Sequence, residues 1–405
     1  MRTALVIASV LTFASPFAMA QQKAQMMPDI ESYSPAGLAM WQANFKTRAL
    51  SQGIPEQVFA DAFAGAALLP DVIAKDRSQG EFTRTIREYL DRAVSDDRIA
   101  SGRAAMAQHG ALLADIEARF GVDRHIILAI WGLESAYGAV RGDVPTISAL
   151  ATLAYEGRRS AFFESELIAL LQTLAEGKAR PDQLVGSWAG AMGHTQFMPS
   201  SYRALAVDYH GGDRANIWDD DPTDALASAA AYLANAGWKA GLPWGVEVVL
   251  PPNFEYDIAG NRTQRPASAW AAMGVSRADG GDLPTAWASV ILPAGAGGPA
   301  FLITDNFAAI ETYNRADSYV IAVGHLADRL RGLGPILQPW PRDLRALTLA
   351  ERIDMQQKLL DRGLYAGNAD GKIGPLTVAA IKALQRSMGQ IADGYASTKV
   401  LDLLQ

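Results

Sequence analysis

The stretch Ile126-Ile-Leu-Ala-Ile-Trp-Gly-Leu-Glu-Ser-Ala-Tyr-Gly138 delivers a single carboxylate, Glu134, to the end of an otherwise apolar run. A spacing of four puts Ile126, Ile130 and Glu134 on one helix face, with Ile127 and Trp131 on the adjoining row, so the glutamate continues an inward-pointing stripe. Gly138 is the expected C-terminal stop. That places Glu134 in the last turn, where the negative end of the helix dipole disfavours ionisation. Desolvation acts in the same direction. A carboxyl group that keeps its proton near neutral pH suits general-acid cleavage of a glycosidic bond. The competing role for such a residue is a structural ion pair with a buried arginine.

A second chemical element is the stretch Ser187-Trp-Ala-Gly-Ala-Met-Gly-His-Thr-Gln-Phe-Met-Pro-Ser-Ser-Tyr202, where helical periodicity breaks and two glycines permit close backbone approach. Trp188, Gln196 and Phe197 offer the flat apolar faces and amide groups that sugar recognition uses, although a tight structural turn would read the same way. Most glycosidases need a second carboxylate. Asp143 and Glu156 are the candidates near Glu134, and nothing in the sequence places either across a cleft. A lone carboxyl group can serve as acid and then as base when the attacking group belongs to the substrate. Arg158 and Arg159 are either a solvated face or a pair of guanidinium forks for substrate carboxylates.

Metal and cofactor chemistry find little support. The five histidines show no ligand spacing, and the stretch from Asp208 to Asp213 lacks the alternating carboxylates of a calcium loop. Serine-nucleophile, phosphate-loop and dinucleotide motifs are missing too, so no metal and no cofactor is expected.

The elements that must position these residues read as mainly α. Helical spacing covers segments 38–50, 56–64, 104–120, 145–154, 162–174 and 224–237. Residues 244 to 304 change character, with β-like runs at 246–250, 286–292 and 300–304 between Pro- and Gly-rich connections, which predicts a small sheet inserted in a helical domain. The pattern then returns to one helix over 307–330, with Tyr313 and Asn314 inside it. Three prolines in eight positions at 334–341 predict a linker, set at 336–346. A small three-helix domain should fill 347–405, with helices at 349–362, 375–387 and 397–404.

Across 405 residues, 49% hydrophobic and 20% charged content fits a globular chain of two or three domains. The net charge of −7 argues against a nucleic-acid partner. Residues 1–20 read as a secretory signal, with Arg2, a short apolar run and Ala18-Met-Ala20 as the cleavage site; losing Arg2 takes −7 to −8 in a mature chain covering 21–335 and beyond. The chain has no cysteine, which excludes disulfides and a lipid-modified N-terminal cysteine, so no membrane anchor is expected.

Taken together, Ala129-Ile-Trp-Gly-Leu-Glu-Ser-Ala-Tyr-Gly138, Gly190-Ala-Met-Gly-His-Thr-Gln-Phe-Met-Pro-Ser-Ser-Tyr202, Asn216-Ile-Trp-Asp219, Gly237-Trp238 and Tyr313-Asn-Arg315 resemble the lytic murein transglycosylase B family, of glycoside hydrolase family 103 type. Gln356-Gln357, Gly367, Asp370-Gly371, Ile373-Gly374, Thr377 and Gln385 resemble a peptidoglycan-binding domain. The resemblance implies a lysozyme-like helical catalytic domain acting on peptidoglycan glycan strands in the periplasm. It implies that Glu134 is the sole catalytic carboxylate, protonating the leaving oxygen and then accepting the proton of the muramic acid C6 hydroxyl to form a 1,6-anhydro ring. It also assigns Ser187, Gln196, Tyr313, Asn314 and Tyr319 to the sugar groove, and Arg158 and Arg159 to the stem peptide. A hydrolytic muramidase and a non-catalytic wall-binding scaffold are the alternatives.

Overall fold

The computed structural model describes residues 29–78, 84–212, 214–260 and 263–405; the expected signal segment and Asp213 lie outside them. From residue 29 to about 240 the described residues are mainly helical, as the 3.6-residue spacing requires. The helix Pro35–Ser51 starts with Ser34 capping Gly37 N and proline in the first turn. The helix Asp96–Phe120 is capped by Ser95 and stopped by Gly121 in the left-handed region. The helices Arg124–Ser135, Thr146–Glu156 and Thr223–Asn235 each bury most of their residues, and Ser160–Ala175 buries half.

These helices form two apolar cores. One gathers Leu113, Ile116, Ile126 to Trp131, Leu233, Phe307 and Val320 to Val323. The other gathers Phe45, Leu150, Phe163, Leu167, Phe197 and Tyr202. Tyr313 packs against both, which puts it on the seam between the two lobes.

Strands β1 (Val144–Pro145) and β2 (Val185–Gly186) make a short antiparallel ladder. The remaining strands, β3 (Gly245–Val249), β4 (Arg265–Pro266), β5 (Ser276–Arg277), β6 (Trp287–Ile291) and β7 (Ala300–Ile303), form one antiparallel sheet in the order β4-β6-β7-β3-β5. The period of two sorts its side chains. Val290 and Leu302 face the insertion's own helix around Trp270, while Ile291, Phe301 and Ile303 turn to the main core. The sheet is therefore a layer between two cores.

Segment 334–341 has no regular structure, as its prolines predict, but it is not a free tether. The Glu247 carboxylate accepts from Leu337 N and Gln338 N, each at 2.7 Å, and the Gln338 amide donates to Val248 O. The three C-terminal helices, Leu349–Asp361, Pro375–Ser387 and Thr398–Leu403, close a separate small core around Met355, Leu359 and Ile381. That core is docked on the insertion: the buried Lys382 ammonium donates to Tyr256 O and Ala259 O, both at 2.9 Å. Stripping an ammonium of water is costly, so these carbonyls fix the domain's orientation.

Two titratable groups on the helix Asp317–Arg331 carry opposed pH dependence. Burial depresses His325 from 6.5 to about 4. Burial raises Asp328 from 3.8 to about 6, against the pull of its Trp244 hydrogen bond and of Arg331. Between pH 6.5 and 4 the unfolded chain takes up the His325 proton and the folded chain does not, so this group removes stability as the pH falls. Between pH 6 and 3.8 the folded chain holds the Asp328 proton that the unfolded chain releases, so this group restores stability as the pH falls. The two nearly cancel, each contributing on the order of 3 kcal/mol. Asp328→Asn removes the second alone. Urea unfolding should show the variant gaining on wild type at pH 7 and losing that advantage by pH 4.5; a pH-independent difference would refute the assignment.

Candidate active site

The helix Arg124–Ser135 is aimed from its N-terminus by Asp123, whose carboxylate accepts from His125 N at 2.8 Å and pairs with Arg331 at 2.5 Å. Burial pushes Asp123 up, but His125 and Arg331 outweigh it and hold the group at about 2. From Ile126 to Gly132 every residue is buried, and Glu134 follows in the last turn, half-buried. The helix stops earlier than Gly138. Ala136 (φ 51°) and Tyr137 (φ 58°) enter the left-handed region, closed by Ala136 N to Gly132 O at 3.1 Å and Tyr137 N to Trp131 O at 3.3 Å. Such non-glycine backbone costs about 1–3 kcal/mol per residue and persists only where its surroundings impose it. Here the Tyr137 ring fills the space over Gly132, where a Cβ would come within 2.5 Å, and its hydroxyl donates to Arg98 O at 3.0 Å.

The other strained residue is Gln196 (φ 49°), so among the described residues every non-glycine with positive φ belongs to this region. Gln196 is held by its own amide, which donates to Gly193 O at 2.8 Å and to Arg141 O at 3.0 Å. The β1–β2 ladder sets the loop's origin: a Cβ on Gly142 would meet Gly186 O at 2.2 Å, so only glycine permits that approach. Ser187 follows at once, half-buried, with its hydroxyl accepting from Ala191 N at 3.1 Å. Downstream, the buried Glu166 receives Ser200 N and Ser200 Oγ, anchoring the first turn of the helix Pro199–Leu205.

Phe197 corrects its expected role. Its ring is 2% exposed and packs edge-on against Tyr232 and Tyr313, so it cannot stack on a sugar; it props Tyr313 from behind. The reason is strand-like pairing: Met192 and Phe197 exchange backbone hydrogen bonds of 2.8 and 2.9 Å, which turns the ring into the core.

The single helix expected over 307–330 is also corrected. The structure has two, Asp305–Glu311 and Asp317–Arg331, with Tyr313 and Asn314 in the break between them. The Asn314 side chain accepts from Ala316 N at 3.1 Å, a local bond that competes with helix, and the Tyr313 hydroxyl is tied to Thr195 O at 2.6 Å. Beyond the break, Tyr319 donates to Glu134 Oε1 at 2.5 Å. Both phenols are raised well above 10, by burial first and then by the Glu134 charge. They remain protonated donors over the whole working range. Asn314 itself is exposed.

Arg158 and Arg159 form a separate cluster. Both guanidiniums pair with Asp76, which is 2% exposed. Glu156, once a candidate for the second carboxylate, is taken up by Arg77 at 3.0 Å, with its side chain 3% exposed. Asp143 lies exposed just before β1. Asp76, Arg141 and His194 escape a reading of the sequence, because each acts through residues remote in the chain and none belongs to a periodic pattern. Among the described residues no group of three or more histidines and carboxylates could hold a metal ion. In the stretch that begins at Asp208, that carboxylate accepts from Gly211 N at 2.9 Å.

Residues 37–328 match the family of the transglycosylase SLT domain, and residues 348–404 match a peptidoglycan binding domain. The crystal structure of SltB3 from Pseudomonas aeruginosa, in complex with NAG-NAM-pentapeptide, superposes with a TM-score of 0.87 at 45% identity, covering 91% of this chain and 99% of that one. The Escherichia coli lytic transglycosylase Slt35, in complex with calcium, matches with a TM-score of 0.61 at 30% identity over 72% of this chain and 92% of that one. The membrane-bound lytic murein transglycosylase B of Escherichia coli strain K12 is 33% identical over 251 residues, which span 59% of this chain and 65% of that protein.

Proposed function

The chain belongs to the transglycosylase SLT domain family and carries a peptidoglycan binding domain, and from that we propose that it is a lytic transglycosylase of peptidoglycan with Glu134 as its one acid and base. The observation that carries the reading is the placement of Glu134: a carboxyl group in the last turn of a buried helix, pinned by Tyr319, on a backbone strained on either side of the seam.

In this reaction Glu134 gives its proton to the glycosidic oxygen as the bond to the muramic acid C1 breaks. The resulting carboxylate then takes the proton of the C6 hydroxyl, and the C6 oxygen bonds C1. The ring closes, the acid is regenerated and no water is consumed. The Tyr319 hydroxyl orients the carboxyl plane through Oε1, which favours the transferable proton on Oε2. A developing positive charge at C1 is met by the carboxylate of the same residue. The fate of Glu156, committed to Arg77, supports a mechanism that recruits its nucleophile from the substrate.

Ser187, Gln196, Tyr313, Asn314 and Tyr319 line the proposed sugar groove, while Arg158 and Arg159 present the positive charge left over from one shared Asp76 to the carboxylates of a stem peptide. We assign 21–335 to catalysis, with the β-rich insertion at 244–304, and 347–405 to wall binding. No helix of the described residues is long and apolar enough to cross a membrane. The sequence features of residues 1–20 support action in the periplasm.

Product mass tests the reaction. Digestion of purified peptidoglycan should release muropeptides one water lighter than hydrolysis would give, ending in 1,6-anhydromuramic acid. Exclusive release of reducing-end products would make the protein a muramidase.

A further inference from the structure

Three consecutive residues of the Gln196 loop reach three parts of the site. Gln196 holds Arg141 O, Thr195 O receives Tyr313, and His194 reaches the helix that bears Glu134. The His194 contacts are unusually complete. Its Nδ1 lies 3.1 Å from Trp131 Nε1, its Nε2 lies 2.6 Å from Asp219 O, and its own carbonyl accepts from Ser135 Oγ at 2.6 Å. Gly138 closes the other side, since a Cβ there would stand 2.6 Å from Nδ1.

These partners define the tautomer. An indole nitrogen only donates, so Nδ1 must accept; a carbonyl only accepts, so Nε2 must carry the proton, while Arg141 Nη1, 3.2 Å from Nε2, spends both its hydrogens on Trp218 O and Asp219 O. The ring thus uses both nitrogens with one proton. We infer that His194, with its proton on Nε2, is a positioning residue for Glu134, clamping the helix end that carries the carboxylate to the loop that carries Gln196, and that a second ring proton opens the clamp. The inference rests on the reading of Glu134 as acid and base.

A proton on Nδ1 would face the Trp131 N–H, and two donors cannot share that contact. Trp131 lies three residues before Glu134, and Ser135 directly after it, so their displacement moves the carboxylate. The surrounding charges are mixed. Arg141, on the segment after the Glu134 helix, opposes protonation; Asp220 and Asp221, on the segment before the helix Thr223–Asn235, favour it. Arg141 is itself paired with Asp220 at 2.7 Å and donates to Trp218 O and Asp219 O. On the far side of Trp131, His109 packs edge-on at 5.4 Å. Burial holds the His194 ring below its ordinary 6.5.

Nitrogen NMR of the histidine rings in the full chain gives the direct test. Two rings, those of His194 and His325, should stay neutral below pH 6.5, and the one that disappears in His194→Gln should be protonated at Nε2 alone. In wild type the acid limb of kcat should follow the His194 titration; in Trp131→Phe, which removes the donor and with it the contact that the second proton breaks, the His194 titration should move up, kcat should fall and the acid limb should vanish, while KM for a soluble glycan stays within error. His194→Gln keeps a donor for Asp219 but loses the acceptor for Trp131; its kcat should fall about ten- to a hundredfold, the scale of a misplacement of about 1 Å. Thermal melts monitor folding of each variant. A His194 ring protonated at Nδ1 in wild type overturns the inference, as does an acid limb that survives in Trp131→Phe. Failure of the underlying reading is distinguishable, because it shows as activity surviving in Glu134→Gln whatever the tautomer.

Discussion

Glu134→Gln should bind peptidoglycan as wild type does and release almost nothing from it. The amide keeps the volume and can still accept from Tyr319, so the half-buried position and its 2.5 Å hydrogen bond survive with little change in stability. What disappears is the exchangeable proton. General acid and general base catalysis contribute about a hundred- to ten-thousandfold each, and one group here performs both, so a loss in kcat of at least about ten thousandfold is expected. Pull-down with insoluble wall, mediated by the C-terminal domain, should be unaffected. Undiminished release of anhydromuropeptides from the variant would reject Glu134 as the catalyst.

Asp76→Asn should be the most damaging change outside that site. Asp76 is 2% exposed and is shared by Arg158 and Arg159, whose side chains are 33% and 42% exposed. Replacing a buried carboxylate leaves two neighbouring cations facing a neutral amide. Removing one partner of a buried pair costs about 3–5 kcal/mol. Both arginines retain access to water, which screens the repulsion, so about 2–3 kcal/mol is the expected loss here. In a domain of this size that lowers Tm by roughly 5 °C. The functional effect should be selective: KM rises for glycan bearing stem peptides and not for glycan stripped of them. Equal effects on both substrates would mean that the cluster is structural alone.

Much of the positioning apparatus was legible in the chain. The four-residue spacing of Ile126, Ile130 and Glu134 was sufficient to put the carboxylate in the last turn of a buried helix, because a 3.6-residue period leaves few alternatives. The alternation at 246–250 and 286–292 located the inserted sheet to within a residue or two. The C-terminal helices were legible for the same reason, and their expected starts at 349 and 375 are the observed ones.

Where the reading departed from the structure, a long-range contact overrode a local pattern. Apolar spacing through 307–330 suggested one helix, but the hydroxyl of Tyr313 is anchored 118 residues away on Thr195, and Asn314 ends the helix locally. Phe197 looked like a stacking face until its pairing with Met192 turned it inward. The prolines of 334–341 promised a tether, and Glu247 straps that segment to β3 instead.

Periodicity and residue type thus determined which elements exist, which faces are apolar and where one unusual carboxylate stands, since those follow from interactions within a few residues. Only the tertiary structure decided what surrounds Glu134. The phenol of Tyr319 comes from 185 residues away, and the tautomer of His194 is dictated by partners 63 and 25 residues distant. Such contacts have no local signature, because each depends on how helices from two lobes meet, and sequence spacing carries no record of that meeting.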